Sequence, residues 1–170
     1  MISSFVAEMD KLVRRPATWV LVGVWAIAAV AYVYIIPYLS YANPTSKVSA
    51  AARQALLMRL LPQQLISEII SGFPLFGGMI VLVFGALVVG SEYGWGTLKT
   101  VFIQRPGRSP VLSGKLLALA VMQIAFVLAV FVPGALSSFI VAMVAHAPVR
   151  WPSAWDFVQA LGAAWLILTM

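Results

Sequence analysis

The sequence predicts an all-α integral membrane protein, and three observations carry that prediction. Hydrophobic residues make up 62% of the chain and charged residues 9%, against about 45–50% and about 25% in an ordinary soluble domain. The apolar residues gather into long uncharged runs, and the few charges stand at the ends of those runs. A domain of 170 residues leaves much of its surface wet, so it could not hide this much apolar area from water. Lipid is the simplest solvent for the excess.

The remaining composition narrows the classes. The net charge of +6 comes from basic residues flanking apolar runs, not from a stripe interleaved with aromatics, which argues against nucleic acid as a partner. The chain has no cysteine, which excludes disulfides, thiolate metal sites and cysteine nucleophiles.

Residues 1–15 form an amphipathic helix. Ile2, Phe5, Val6, Met9, Leu12 and Val13 recur at helical spacing, with Ser3, Ser4, Glu8, Asp10 and Lys11 opposite. Such a helix lies in the membrane interface, apolar face down. Arg14 and Arg15 mark its end, and Pro16 suits a fresh helix start. Residues 17–36 are uncharged and long enough to cross about 30 Å of hydrocarbon at about 1.5 Å per residue. Trp19 stands near one end and Tyr34, Tyr38 and Tyr41 near the other, as aromatic belts do. A signal peptide fits less well, because the apolar run continues past the Ala29-Val30-Ala31 site.

Residues 37–72 read as an outer helical connection resting on the spans. Ser46 is placed to cap a helix running to about Leu61, Pro62 opens a second, and Gly72 is expected to close it. The second span is 73–90; its small residues Gly77, Gly78, Gly85, Ala86 and Gly90 suit tight helix contact, or alternatively a glycine-lined path. Residues 111–146 form a third span far longer than one crossing needs. Pro133-Gly134 interrupts it, and one long helix kinked at Pro133 is expected. Gln123, the polar residue within it, is expected to hydrogen-bond a neighbouring helix. Residues 156–170 begin a fourth span. Lys11, Arg14, Arg15, Lys99, Arg105, Arg108 and Lys115 lie on one side, and Lys47, Arg53, Arg59 and Arg150 on the other. Seven basic residues against four place the first side, with the N-terminus, in the cytoplasm.

Catalytic machinery is hard to find. His146 is the only histidine and sits beside Pro148 in an outer turn, where it reads as an ordinary loop residue. Glu8, Asp10, Glu68, Glu92 and Asp156 all lie outside the spans, whereas proton-coupled transport usually needs ionisable groups inside the bilayer. Gly114-Lys115 resembles the end of a phosphate-binding loop, but Ser109 and Leu116 stand where that loop needs Gly and Ser or Thr. No catalytic, cofactor-binding or metal-binding residue is expected in this chain.

The connection after span two is the informative stretch. On a helix from about Glu92, Trp95, Leu98, Val101 and Phe102 share one arc, and Thr97, Thr100 and Gln104 cluster on the other side. Ser91 is placed to cap its first turn, and Pro106-Gly107 stops it. Gly94 and Gly96 permit close approach of another backbone. The pattern alone leaves two readings, a connector lying on the membrane or a helix docked to a soluble partner.

The run from Gly90 to Lys115 resembles the permeases of type-2 ATP-binding cassette transporters. In those proteins a Glu-aromatic-x-x-Gly-Thr-Leu-basic motif follows the second span, and Glu92, Tyr93, Gly96, Thr97, Leu98 and Lys99 match it. Pro106, Arg108, Gly114 and Lys115 match later elements, and the layout resembles the family over essentially all 170 residues.

The resemblance implies a short cytoplasmic coupling helix at 91–107 between spans two and three. Its docking residues would be Glu92, Tyr93, Gly94, Trp95, Gly96, Thr97, Leu98, Lys99, Thr100, Gln104 and Arg105. Arg14, Arg15, Trp19, Arg108 and Lys115 would anchor the chain at the membrane interface, the last two against lipid head groups. The partners implied are a separate ABC ATPase subunit, which would bind ATP and Mg, and a second permease copy or homologue. The implied setting is a bacterial plasma membrane, and the implied function is outward transport. Family members usually have six spans and this chain reaches about four, so a C-terminally truncated piece of a longer protein is expected. A non-transporting scaffold or assembly protein and a secondary transporter are the alternative functions.

Overall fold

The computed structural model describes residues 2–43, 49–94 and 109–170. Helix α1 (Ile2–Arg14) leads into α2 (Pro16–Val30), which Pro16 opens from the extended Arg15. The chain then passes without a break through a π-helical turn (Ala31–Ile35) into α3 (Ile36–Ala42). Pro37 therefore does not end the first long helix. It occupies an early position of α3, directly after the π turn.

A second helical layer comes next. The α4 helix (Ala50–Leu60) is capped by Ser49, whose side chain accepts from Ala52 N; Ser46, the expected cap, lies outside the described residues. Pro62 opens a 3-10 turn (Pro62–Gln64) leading to α5 (Leu65–Gly72). Gly72 does not close the helix as expected. The chain continues through a second π turn (Phe73–Gly77) into α6 (Gly78–Gly94). Gly72 remains in a right-handed helical conformation with φ −82°, so nothing in its backbone forces a stop. The apolar stripe of this connection packs inward, with Leu60, Leu61, Leu65 and Ile69 all buried.

The α7 helix (Ser109–Val144) is the central strut, running unbroken through Pro133, and α8 (Ala154–Thr169) returns along it. Ser153 and Asp156 form a reciprocal capping box that fixes the start of α8. The turn between them holds His146 at φ 50°, a left-handed conformation that histidine tolerates better than most side chains.

Packing divides each helix into two faces. On α7, Ala118, Met122, Phe126 and Val130 are buried while Ile124, Leu128, Val132, Leu136 and Ile140 are exposed. Val20, Val24 and Ile27 on α2, and Met79, Leu82 and Val83 on α6, form similar exposed stripes. Contiguous apolar surface of this extent marks an interface with lipid or protein, not with water. The helices Pro16–Ala42 and Val111–Val144 are long and apolar enough to cross a membrane; Gly78–Ser91 and Ala154–Thr169 are shorter apolar helices.

The glycines of α6 do not act as one packing face. A Cβ at Gly77, in the π turn, would approach Leu168 to 2.9 Å, but one at Gly78, Gly85 or Gly90 would meet nothing within 4 Å among the described residues. Gln123 is buried, yet its Oε1 receives no hydrogen bond among the described residues, against the expectation of a cross-helix bond. A cross-helix bond to this helix comes instead from Trp165, whose Nε1 donates to Ala120 O at 2.7 Å.

Candidate functional site

The chain's basic end gathers four elements: α1, the start of α2, the end of α6 and the start of α7. The α1 helix does not rest its whole apolar stripe on one surface. Leu12 is fully buried, with Phe5 and Met9 packed against the same core, and α1 lies along α7. Val6 and Val13 remain exposed. Phe5, Met9 and Leu12 therefore face protein, and Val6 and Val13 face outward.

Two features lock α1 to α7. The first is Gly114. A Cβ there would stand 2.9 Å from Ser4 Cβ and 3.0 Å from Phe5 N, so only glycine lets the two backbones come this close. The second is ionic. Glu8 Oε1 accepts from Lys11 Nζ at 3.0 Å, and Lys115 Nζ lies 3.8 Å from Glu8 Oε2. That second distance is within ion-pair range but beyond a hydrogen bond. The Glu8 and Lys115 side chains are only 13% and 11% exposed, so their attraction is weakly screened. Lys115 thus directs its ammonium at α1.

A third tie joins α2 to α6. Arg15 Nη1 donates to Ser91 Oγ at 2.7 Å, and Ser91 Oγ donates in turn to Val88 O at 3.1 Å. Ser91 lies inside α6 and does not open a new helix, because α6 runs on to Gly94. Trp19 Nε1 donates to Val13 O at 2.7 Å, pinning the start of α2 to the end of α1. Arg14 is different. It pairs with Asp10 at 2.8 Å with both side chains well exposed, and that hydrogen bond, then the carboxylate's charge, raises the guanidinium pKa above its ordinary value.

Of the expected docking residues, Glu92, Tyr93 and Gly94 lie on the last turn of α6, with Tyr93 81% exposed. Trp95, Gly96, Thr97, Leu98, Lys99, Thr100, Gln104 and Arg105 lie outside the described residues, as does Arg108. What is described is the frame from which that connection leaves and to which it returns. The sequence pattern does not supply the contacts made by three members of the frame, Glu8, Ser91 and Gly114. Glu8 is legible as an acid among basic residues, but its partner Lys115 stands too far along the chain for any helical periodicity to pair them. Among the described residues, no group of three or more histidines and acids could hold a metal ion.

A family model described as ABC-2 family transporter protein matches residues 2–170. No curated protein and no solved structure gives a match.

Proposed function

The chain belongs to the ABC-2 transporter family, and from that premise we propose that it is the permease subunit of an ATP-driven exporter in a bacterial plasma membrane. It would work with a separate ATPase subunit and a second permease copy or homologue. ATP and Mg would be bound by the ATPase. The N-terminus would face the cytoplasm, with four crossings in 170 residues. The 91–107 connection would be the coupling helix, presenting Thr97, Thr100 and Gln104 to the ATPase and Trp95 and Phe102 to the membrane.

One observation supports this reading most: the frame around the connection is braced. A force applied to residues 95–108 enters α6 and α7 covalently. The Arg15–Ser91 hydrogen bond passes it to α2, and the Gly114 contact with the Lys115–Glu8 pair passes it to α1. Four helix ends would then shift together. Closely packed interiors transmit strain in this way because they deform little.

The test is co-purification from membranes of the full-length protein with its ATPase. Replacing Gly96 and Thr97 by bulky acidic residues should abolish ATPase binding while the protein still inserts. Unchanged binding would sink the coupling assignment.

A further inference from the structure

The end opposite the basic one is tied in another way. There α3, α4 and α5 hold to one another. Arg53 Nη2 donates to Asn43 O at 3.0 Å, joining α4 to the end of α3. Arg59 Nε lies 3.6 Å from Glu68 Oε1, pairing α4 with α5. This second helical layer joins the rest of the chain at two places, and each is a π turn: Ala31–Ile35 before α3 and Phe73–Gly77 after α5. Each also has a proline. Pro37 stands two residues after the first turn, and Pro74 falls within the second. A proline brings no N–H to the carbonyl four residues before it and crowds that carbonyl. Sharp bends in helices gather at prolines and π bulges. The two turns stand side by side, with the Tyr32 and Phe76 rings 5.0 Å apart and exposed. Two adjacent weak points define one axis.

The surroundings of the layer are loose. A cavity of about 560 Å³ lies where α4 and α5 meet α2, the two π turns and α7, with Trp25 and Glu68 in its wall. A space of about 250 Å³ separates the first π turn and α3 from α7, and a groove of about 500 Å³ separates α5 from α8. Closely packed parts move little, whereas this body has room on three sides. Its seat on α7 is apolar, with Leu60, Leu61, Leu65 and Ile69 buried, and apolar burial is non-directional. One contact in the seat has a defined shape. A Cβ at Gly134 would stand 2.7 Å from Ile69 Cδ1, so Ile69 occupies a notch that glycine leaves open.

We propose that α3, α4 and α5 rock as one body on the two π turns, about an axis through the Tyr32–Phe76 contact, with Ile69 in the Gly134 notch as the catch that holds the seated position. The motion is a slide of packed helices permitted by hinges at their ends. Within the export reading it would open the seams between α3 and α7 and between α5 and α8 while the braced end moves as a unit. The motion itself does not rest on that reading.

Pulsed EPR on the purified chain in detergent micelles tests it without any ATPase. The chain has no cysteine, so two introduced cysteines carry the only nitroxide labels. Val6→Cys on α1 is the common reference. Its partners are Gln54→Cys and Gln63→Cys in the layer, and Val158→Cys on α8 as the control, all at exposed positions. Both layer distances should be distributed more broadly than the control by about 2 Å or more, the scale of a domain rearrangement. Joint replacement Pro37→Ala and Pro74→Ala, which returns both N–H groups, should narrow them toward the control. Ile69→Ala should broaden them further and leave the control unchanged. Thermal unfolding of each variant verifies folding. The proposal is overturned by equal widths for the three pairs, by broadening at Gln54 alone, which would mean that α4 frays by itself, by no narrowing in the proline variant, or by no broadening in Ile69→Ala.

Discussion

The two ends of the molecule differ in how many of their polar groups are hydrogen-bonded across helices. At the basic end Arg15 donates to Ser91, Trp19 to Val13 and Lys11 to Glu8 Oε1, while Glu8 Oε2, 3.8 Å from Lys115 Nζ, accepts no hydrogen bond among the described residues. At the cavity, Trp25 keeps an unmatched donor, and Arg59 and Glu68 stand 3.6 Å apart without a close bond. Matched groups hold helices in one arrangement. Unmatched buried groups cost stability. The basic end is the more fully bonded of the two.

Substitutions can break that contrast. The largest effect is expected at Gly114. A Cβ there meets the α1 backbone, which cannot rotate away as a side chain would. Gly114→Leu should therefore cost about 3 kcal/mol or more, the upper range for overpacking. Gly85→Leu, where nothing lies within 4 Å, should leave thermal unfolding in detergent almost unchanged. Equal effects at both positions would refute the close α1–α7 contact.

Next comes the ion pair. Lys115→Met leaves Glu8 with Lys11 as its remaining described cation and should cost about 2 kcal/mol, below the roughly 3–5 kcal/mol of fully buried pairs. The double variant with Glu8→Gln should be more stable than the Lys115→Met single, because the poorly exposed carboxylate charge is gone and Lys11, whose side chain is 39% exposed, loses less by parting from it. Unfolding measured across the double-mutant cycle tests this sign.

Two tryptophans then sharpen the comparison. Trp165→Phe loses both ring area and the bond to Ala120 O, and should cost about 1–2 kcal/mol. Trp25→Phe also loses ring area but removes an unmatched donor, and the two should offset to within about 1 kcal/mol. A Trp25→Phe protein markedly less stable than Trp165→Phe would mean that the Trp25 donor is satisfied after all. The smallest effect belongs to Asp10→Asn. Its pair with Arg14 is exposed on both sides, and exposed pairs contribute little. No change in unfolding midpoint is expected, at low or high salt.

Much of the architecture was legible along the chain because its cause is local. Uncharged runs and a basic pair before Pro16 act over a few residues, and the α1, α2, α7 and α8 helices appear where those signals stand. Gly72 misled because a glycine's effect on a helix depends on how its neighbours pack. Here Phe73 and Ile69 bury into the core, and that packing carries the helix past a residue that would end it in isolation. The small-residue run of the second span misled in the same way: which glycine touches a neighbour is settled by the neighbour, and among the described residues only Gly77 of Gly77, Gly78, Gly85 and Gly90 has one.

The sequence by itself determined the class of the protein, since no arrangement of a chain this apolar can satisfy water. It also determined the positions of most helices, through patterns that repeat every few residues. Tertiary structure alone decided that Gly114 meets Ser4 and Phe5, that Lys115 faces Glu8, and that Trp25 lines a cavity with no acceptor in reach. Those contacts join residues that no helical period relates. They exist only once packing has chosen which faces meet, because hydrophobic burial sets how much surface is hidden but not which pairs share it.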